Sequence, residues 1–393
     1  MKKFMFIAAS AALVLSAACT KTEVTRSLND EETPIGFSNY APRTITKAGN
    51  TLVNEGALPV NSIIGVYGYS TGEDVFAGTE NPTFMDETFK VTYASANSSA
   101  AEVTNVTRYW PKTITNLLSF YGYYPYGNGA ITSVPTSTST GMGSFGFTQT
   151  NTVNTMVDFM VSDVANDYYY TTTAETNALG TKANEGGSVP LKLRHMLAKV
   201  NFKFNKASDL GDDIVVKVTS AYITNVLSTG TLTPSYSTTK STGNLGTTTF
   251  PELWQTGATP TPSASTPYWD AVNDVAFQFV IPIDKGGNAW IELQKASAGS
   301  DINSATEANT NFLFVPQTLS DNVKVTINYT IKQGDADPVE NTSTVQLNTV
   351  APASWGVNDN IVYTFTIGLT PIKFTALVQP WDTPEIAGAV AVN

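Results

Sequence analysis

Cysteine, histidine and charge are all scarce in this chain. Its 393 residues hold one cysteine, Cys19, and one histidine, His195. A single thiol excludes an internal disulfide framework, so stability must come from packing. One histidine and one cysteine also exclude the clustered His/Cys ligand sets of most zinc sites. Charged residues make up 14% of the chain, too few for the Glu- and Lys-rich faces of long amphipathic helices. Basic residues are outnumbered, with 22 Lys plus Arg against 33 Asp plus Glu and a net charge of −11. That balance disfavours nucleic acid, whose phosphates reward Lys and Arg.

Long apolar runs are equally rare. The one that stands out, Phe4 to Leu15, follows Lys2 and Lys3 and precedes the small residues Ser16, Ala17 and Ala18. This is the layout of an export signal, and it is shorter than the roughly 20 apolar residues of a transmembrane helix. Small residues leading into Cys19 are also the pattern cut by bacterial lipoprotein peptidases, which leave a diacylated cysteine as the first residue. The usual leucine three places before that cysteine is Ser16 here, with Leu15 one step further out. An ordinary secretory signal with a chance cysteine is the competing reading; the polar stretch Thr20 to Glu32, shaped like a tether, favours the lipoprotein. Residues 1–18 are therefore expected to be a signal peptide, 19–33 a tether and Cys19 the lipid attachment point. Lys2 and Lys3 leave with the signal, so 20 basic residues face 33 acidic ones and the charge falls to −13, which suits a protein working outside the cell.

What is abundant is alternation. "SIIGVYGYS", "ETFKVTYAS", "LLSFYGYYPY", "LAKVNFKFN", "DIVVKVTSAYITNV", "VAFQFVIPI", "NVKVTINYTIK" and "IVYTFTIGL" are short, β-branched or aromatic, and bounded by Gly, Asn, Pro or Ser. This spacing predicts an all-β protein of sandwich type rather than βαβ units. The length exceeds what one core usually serves, and "ANEGGSVP" marks a break near residue 188. The expected domains are 34–188 and 189–381, with a tail at 382–393. Two Thr/Ser/Gly-rich stretches, Thr132 to Thr155 and Ser235 to Thr249, are expected to be surface loops or insertions.

Several patterns have the outline of chemistry without its context. "GMGSFG" matches G-x-G-x-x-G through Gly141, Gly143 and Gly146, but it lies in a Thr/Ser stretch with no helix after it to receive a phosphate. His195 lacks the G-x-S-x-G elbow that would accompany an α/β-hydrolase nucleophile and is expected to be a strand histidine, packed or bonded at a domain junction. The carboxylate pairs Asp270 with Asp274 and Asp212 with Asp213 would need a set spatial separation to act on glycosides. Tyr121, Tyr123, Tyr124 and Tyr126 could stack on sugars, yet at alternate strand positions aromatics usually line a core. No catalytic residue, metal or cofactor is expected.

A set of phrases, in order, resembles the fimbrillins of Bacteroidales, the Mfa-like subunits of protease-assembled pili. They are "PIGFSNYAPRTITKA", "RYWP" (Arg108 to Pro111) with "LLSFYGYYPY", "DFMVSDV" (Asp158 to Val164), "LRHMLAKVNFKF" (Leu193 to Phe204), "AYITNVLSTGTL" (Ala221 to Leu232), "FLFVPQ" (Phe312 to Gln317), "SWGVNDNIVYTFTIGL" (Ser354 to Leu369) and "VQPW" (Val378 to Trp381). The resemblance implies two tandem transthyretin-like β-sandwiches and a structural, non-enzymatic role in a fimbria at the outer-membrane surface. It further implies that a trypsin-like surface protease removes the lipid-bearing segment with the first strand, and that another fimbrial subunit, self or related, inserts a strand in its place.

The residues fit that sequence of events. Ile35 and Phe37 alternate with Gly36 and Ser38, so the displaced first strand could lay one apolar edge into a sheet. Arg43 follows Pro42 in a turn-like stretch open to a protease; Lys47 and Arg26 are the other basic positions. Ile386, Gly388, Val390 and Val392 share one face of the terminal tail and form the candidate donor strand, the competing reading being a last strand of their own domain. A different class of function also remains: a surface lipoprotein or tip adhesin that binds a glycan or host protein, with Tyr268, Trp269 and Asp270 as the place to look.

Overall fold

The computed structural model describes residues 32–40, 58–93, 102–103, 106–183, 187–234, 236, 261–262, 279–283, 290–293, 300–301, 311–349, 351–369 and 373–380. The fold is all-β, as the alternating runs predict; the regular elements among the described residues are strands and short 3-10 turns. The strands all lie within one compact unit, Thr33–Asn393. In chain order, those of the first part are β1 Gly36–Tyr40, β2 Ile63–Gly72, β3 Lys90–Thr92, β4 Glu102–Val103, β5 Leu117–Tyr124, β6 Ile131–Ser133, β7 Phe145–Thr148, β8 Met160–Ser162, β9 Ala165–Tyr169, β10 Thr181–Lys182, β11 Ser188–His195, β12 Ala198–Lys206, β13 Ile214–Thr224 and β14 Thr229–Leu232.

The first sheet runs β1-β11-β8-β5-β2-β3-β4, with β9 and β10 joined at β5. Side chains of a strand alternate between faces, and here both faces are buried. Ile64, Val66, Leu118 and Phe120 belong to one apolar cluster, whereas Tyr67, Tyr69, Tyr121 and Tyr123 belong to another. The tyrosines stack, Tyr67 on Tyr121 at 4.9 Å, and their hydroxyls reach the far side of the layer. Tyr67 donates to the Pro135 carbonyl at 2.9 Å, Tyr69 to that of Gly141 at 2.7 Å and Tyr121 to that of Met142 at 2.6 Å. A ring that buries its body and spends its hydroxyl on a backbone acceptor is well suited to hold a loop on a sheet. Gly65 makes room for this layer: a Cβ there would lie 2.2 Å from the Tyr123 ring.

Two expectations change at this point. The stretch Thr132 to Thr155 is not a surface insertion: it holds β7, whose Phe145 and Phe147 are buried, and Phe145 lies 5.1 Å from the Tyr123 ring. Its polar flanks mask a Phe-Gly-Phe alternation. The strand following "ANEGGSVP", β11, is hydrogen-bonded to β1 and β8 of the first sheet. Sheet membership changes after His195, where Met196 and Leu197, both buried, lead into β12.

The later half builds two facing sheets. In one, β12 runs parallel to Asp359–Ile367, which pairs antiparallel with Lys373–Pro380. In the other, β13 pairs antiparallel with Lys324–Gln333 and that strand with Val339–Gln346. Phe279, on a strand of the second sheet, meets Phe314 of the first at 4.9 Å and 78°. The halves are tied together as well. β14 pairs with β7, and Gln149 donates from Nε2 to the carbonyls of Val157 and Leu313, both at 3.0 Å.

Candidate functional site

The first strand is seated deeply in its sheet. Ile35 and Phe37 are 1% and 0% exposed. β1 runs parallel to β11 in a register pairing Gly36 with Ser188, Phe37 with Val189 and Tyr40 with Lys192. On its opposite edge, the Ile35 amide donates to the Arg108 carbonyl at 2.8 Å and the Trp110 amide to that of Thr33 at 2.9 Å. The chain that follows β4 therefore grips the strand from the other side, and the sheet curls round the cluster that Ile35 and Phe37 help to fill.

The seat is walled by rings. Phe37 stands edge-on to Phe120 at 5.4 Å and to Phe89 at 6.4 Å. Phe120 is in turn edge-on to Trp110 at 6.0 Å. Trp110 closes the entrance by donating from Nε1 to the Gly187 carbonyl at 3.1 Å. Gly187 has φ of +73°, a conformation that costs a residue with a Cβ. A Cβ at Gly187 would also lie 2.5 Å from Trp110 Nε1 and 2.9 Å from the Pro34 carbonyl oxygen. The glycine expected to mark a break thus lets Trp110 and the entering first strand share one corner.

Burying an isoleucine and a phenylalanine contributes roughly 3–6 kcal/mol, against about 5–15 kcal/mol for the whole stability of a domain. β1 also supplies the ladder partner of Ser188 to Lys192, whereas β8 pairs with Leu193 to His195. Taking the strand away would leave an apolar trough beside a row of unpaired backbone groups, an arrangement that invites strand addition.

The other candidates fall into structural places. Gly141, Gly143 and Gly146 form a turn and the start of β7, with Gly141 and Gly143 at φ of +61° and +64°; no helix follows, and the carbonyls of Gly141 and Met142 are taken by tyrosine hydroxyls. His195 ends β11 with Nδ1 2.9 Å from Asp158 Oδ1, both side chains buried, so it is bonded where sheet membership changes. Asp213 accepts from Gln333 Nε2 at 3.2 Å and closes the end of a sheet. Tyr121 and Tyr123 line the core, while Tyr124 and Tyr126 are half-buried at its rim. Among the described residues, no group of three His, Cys, Asp or Glu could hold a metal ion. Cys19, Arg26, Arg43, Lys47, Tyr268, Trp269, Asp270, Asp274, Ile386, Gly388, Val390 and Val392 lie outside the described residues.

The model of the fimbrillin-like family matches residues 46–381. The chain therefore belongs to the fimbrillin-like family. The matched region lies between the first strand and the terminal tail. Among solved structures, a fimbrial protein from Bacteroides vulgatus ATCC 8482 is similar at 17% identity, over 88% of this chain and 99% of that one, with a TM-score of 0.51. A candidate cell adhesion protein from Bacteroides uniformis ATCC 8492 is similar at 14% identity, over 89% of this chain and 100% of that one, with a TM-score of 0.44. At 17% identity the likeness to the first speaks to fold alone. No curated protein matches the chain.

Proposed function

We propose that this chain is a structural subunit of a cell-surface fimbria that polymerises by exchange of its first strand. The observation that carries the proposal is the seating of β1. It is a segment on which both the core, through Ile35 and Phe37, and the backbone ladder, through Ser188 to Lys192, depend. Arg43 follows the end of that strand by three residues in the sequence. In this reading Cys19 carries the lipid that delivers the subunit to the outer membrane. A trypsin-like protease then cuts at Arg43, with Lys47 and Arg26 the other basic positions, and β1 leaves with the tether. The terminal tail, with Ile386, Gly388, Val390 and Val392 on one face, is donated to a neighbouring subunit. Family membership supports the reading, as does the fimbrial neighbour of similar fold. The work is done by association, not by catalysis.

The test is to treat the purified full chain with a trypsin-like, arginine-specific protease and follow particle size by light scattering. Growth of polymers that resist detergent, with release of the segment ending at Arg43, is the expected result. A cleaved chain that stays monomeric and retains that segment would overturn the reading.

A further inference from the structure

A strand that takes the place of β1 inherits two seats of different size. Ile35 occupies the smaller. Phe37 occupies the larger, with Phe120 and Phe89 edge-on around its ring and no exposure to solvent. Between them, Gly36 is not essential: a Cβ there would meet the Ser188 Cα at 3.9 Å, ordinary contact, so alanine fits.

The chain's own tail matches the small positions and fails the large one. With Ile386 in the seat of Ile35 and Ala387 at Gly36, Gly388 falls where Phe37 lies. Sliding the tail by two or four residues one way brings Val390 or Val392 to that seat, and sliding it two residues the other way brings Ile386 there with Pro384 in the smaller seat; reversing the strand brings the same residues in the opposite order. No residue after Trp381 is aromatic. Part or all of a ring's volume would be left empty in every register, and walls built from packed rings collapse only in part.

We infer, resting on the strand-exchange reading, that the Phe37 seat is a specificity pocket. It selects a donor strand with a phenylalanine two residues beyond a branched aliphatic, and it discriminates against the tail of a second copy of this chain. A tyrosine would carry its hydroxyl into an apolar cluster and is a poorer fit. The preferred donor is therefore a different subunit, and this chain's tail serves a neighbour whose seats are smaller. The subunit joins a mixed polymer in preference to extending on itself.

The test uses the full chain cleaved by a trypsin-like protease in the presence of competing synthetic peptides, with native mass spectrometry reading which one fills the seat. The peptides are the tail sequence DTPEIAGAVAVN, its Gly388→Phe and Val390→Phe forms, and the first-strand sequence TPIGFSNY. The expected result is that the better of the two phenylalanine forms is retained at least about tenfold more than the unmodified tail, the loss expected when a ring-sized cavity is left unfilled. Equal retention of the unmodified tail and both phenylalanine forms would overturn the pocket while leaving strand exchange standing. Retention of none of the four, the first-strand peptide included, would overturn strand exchange and the pocket together.

Discussion

Phe37 meets Phe120 edge to face, with ring centroids 5.4 Å apart and an interplanar angle of 79°. The contact joins the first strand to the middle of its sheet, because Phe120 lies on β5, three places along from β1. The first strand thus reaches the centre of the core that it completes. Phe37→Ala is expected to lower stability by about 3–5 kcal/mol, as for a buried phenylalanine leaving a cavity, measured by urea unfolding. A loss below about 1 kcal/mol would mean that the strand contributes little to the core.

Gly187→Ala combines a strained backbone with a clash against Trp110. The expected loss is roughly 1–3 kcal/mol, the range for a residue forced into a sparsely populated conformation. It should fall on the first strand in particular, so hydrogen exchange at the Ile35 and Trp110 amides should quicken more than exchange in β12 or β13. Uniform quickening would contradict a local role.

Gln149 holds the halves together by donating to the Val157 and Leu313 carbonyls, while its Oε1 accepts from the Val157 amide at 2.9 Å. Gln149→Leu keeps the size and takes the partner from four backbone groups, the Leu313 carbonyl buried and the Val157 carbonyl, Val157 amide and Thr150 amide part-buried, at about 2–4 kcal/mol in sum. Calorimetry of the variant should show a transition broader than the parent's, or a divided one, if the coupling runs through this side chain. A sharp, unshifted transition would contradict it.

Alkali should unfold the protein through its tyrosines. Burial pushes Tyr363 up to about 12, the hydrogen bond from Trp355 Nε1 opposing the rise, and burial also pushes Tyr236 up to about 12. Burial raises Tyr67, Tyr69, Tyr121 and Tyr123 above the ordinary value of 10 as well. Below pH 10 both folded and unfolded phenols keep their protons and stability is undiminished. Above it the unfolded chain loses protons first, so stability falls as pH rises from 10 to about 12, by up to about 1.4 kcal/mol per pH unit for each buried tyrosine and by less for the half-buried Tyr236, which solvent screens. Tyrosinate absorbance for these residues should rise together with loss of the β-sheet signal. A rise completed while the fold stays intact would contradict their burial.

Most of the fold was legible because alternation and burial coincide: "SIIGVYGYS" is β2, "LLSFYGYYPY" is β5, and "IVYTFTIGL" overlaps Asp359–Ile367. β7 was not, since a four-residue strand flanked by Thr, Ser and Gly has too short a period to stand out, and its partner β14 is more than 80 residues away. The break at "ANEGGSVP" was legible as a turn but not as a turn inside one sheet, because sequence carries no pairing information for β11. At the site, the apolar face of Ile35 and Phe37 could be read from the residues. The ring-walled seat could not, since Phe89, Phe120 and Trp110 come from separate segments brought together only by the curl of the sheet.

The most direct measurement of the central claim is the N-terminus and intact mass of the protein taken from the cell surface. The account predicts a chain that begins at Thr44, without lipid and without its first strand. A chain that still begins at acylated Cys19, in the same polymers, would contradict it.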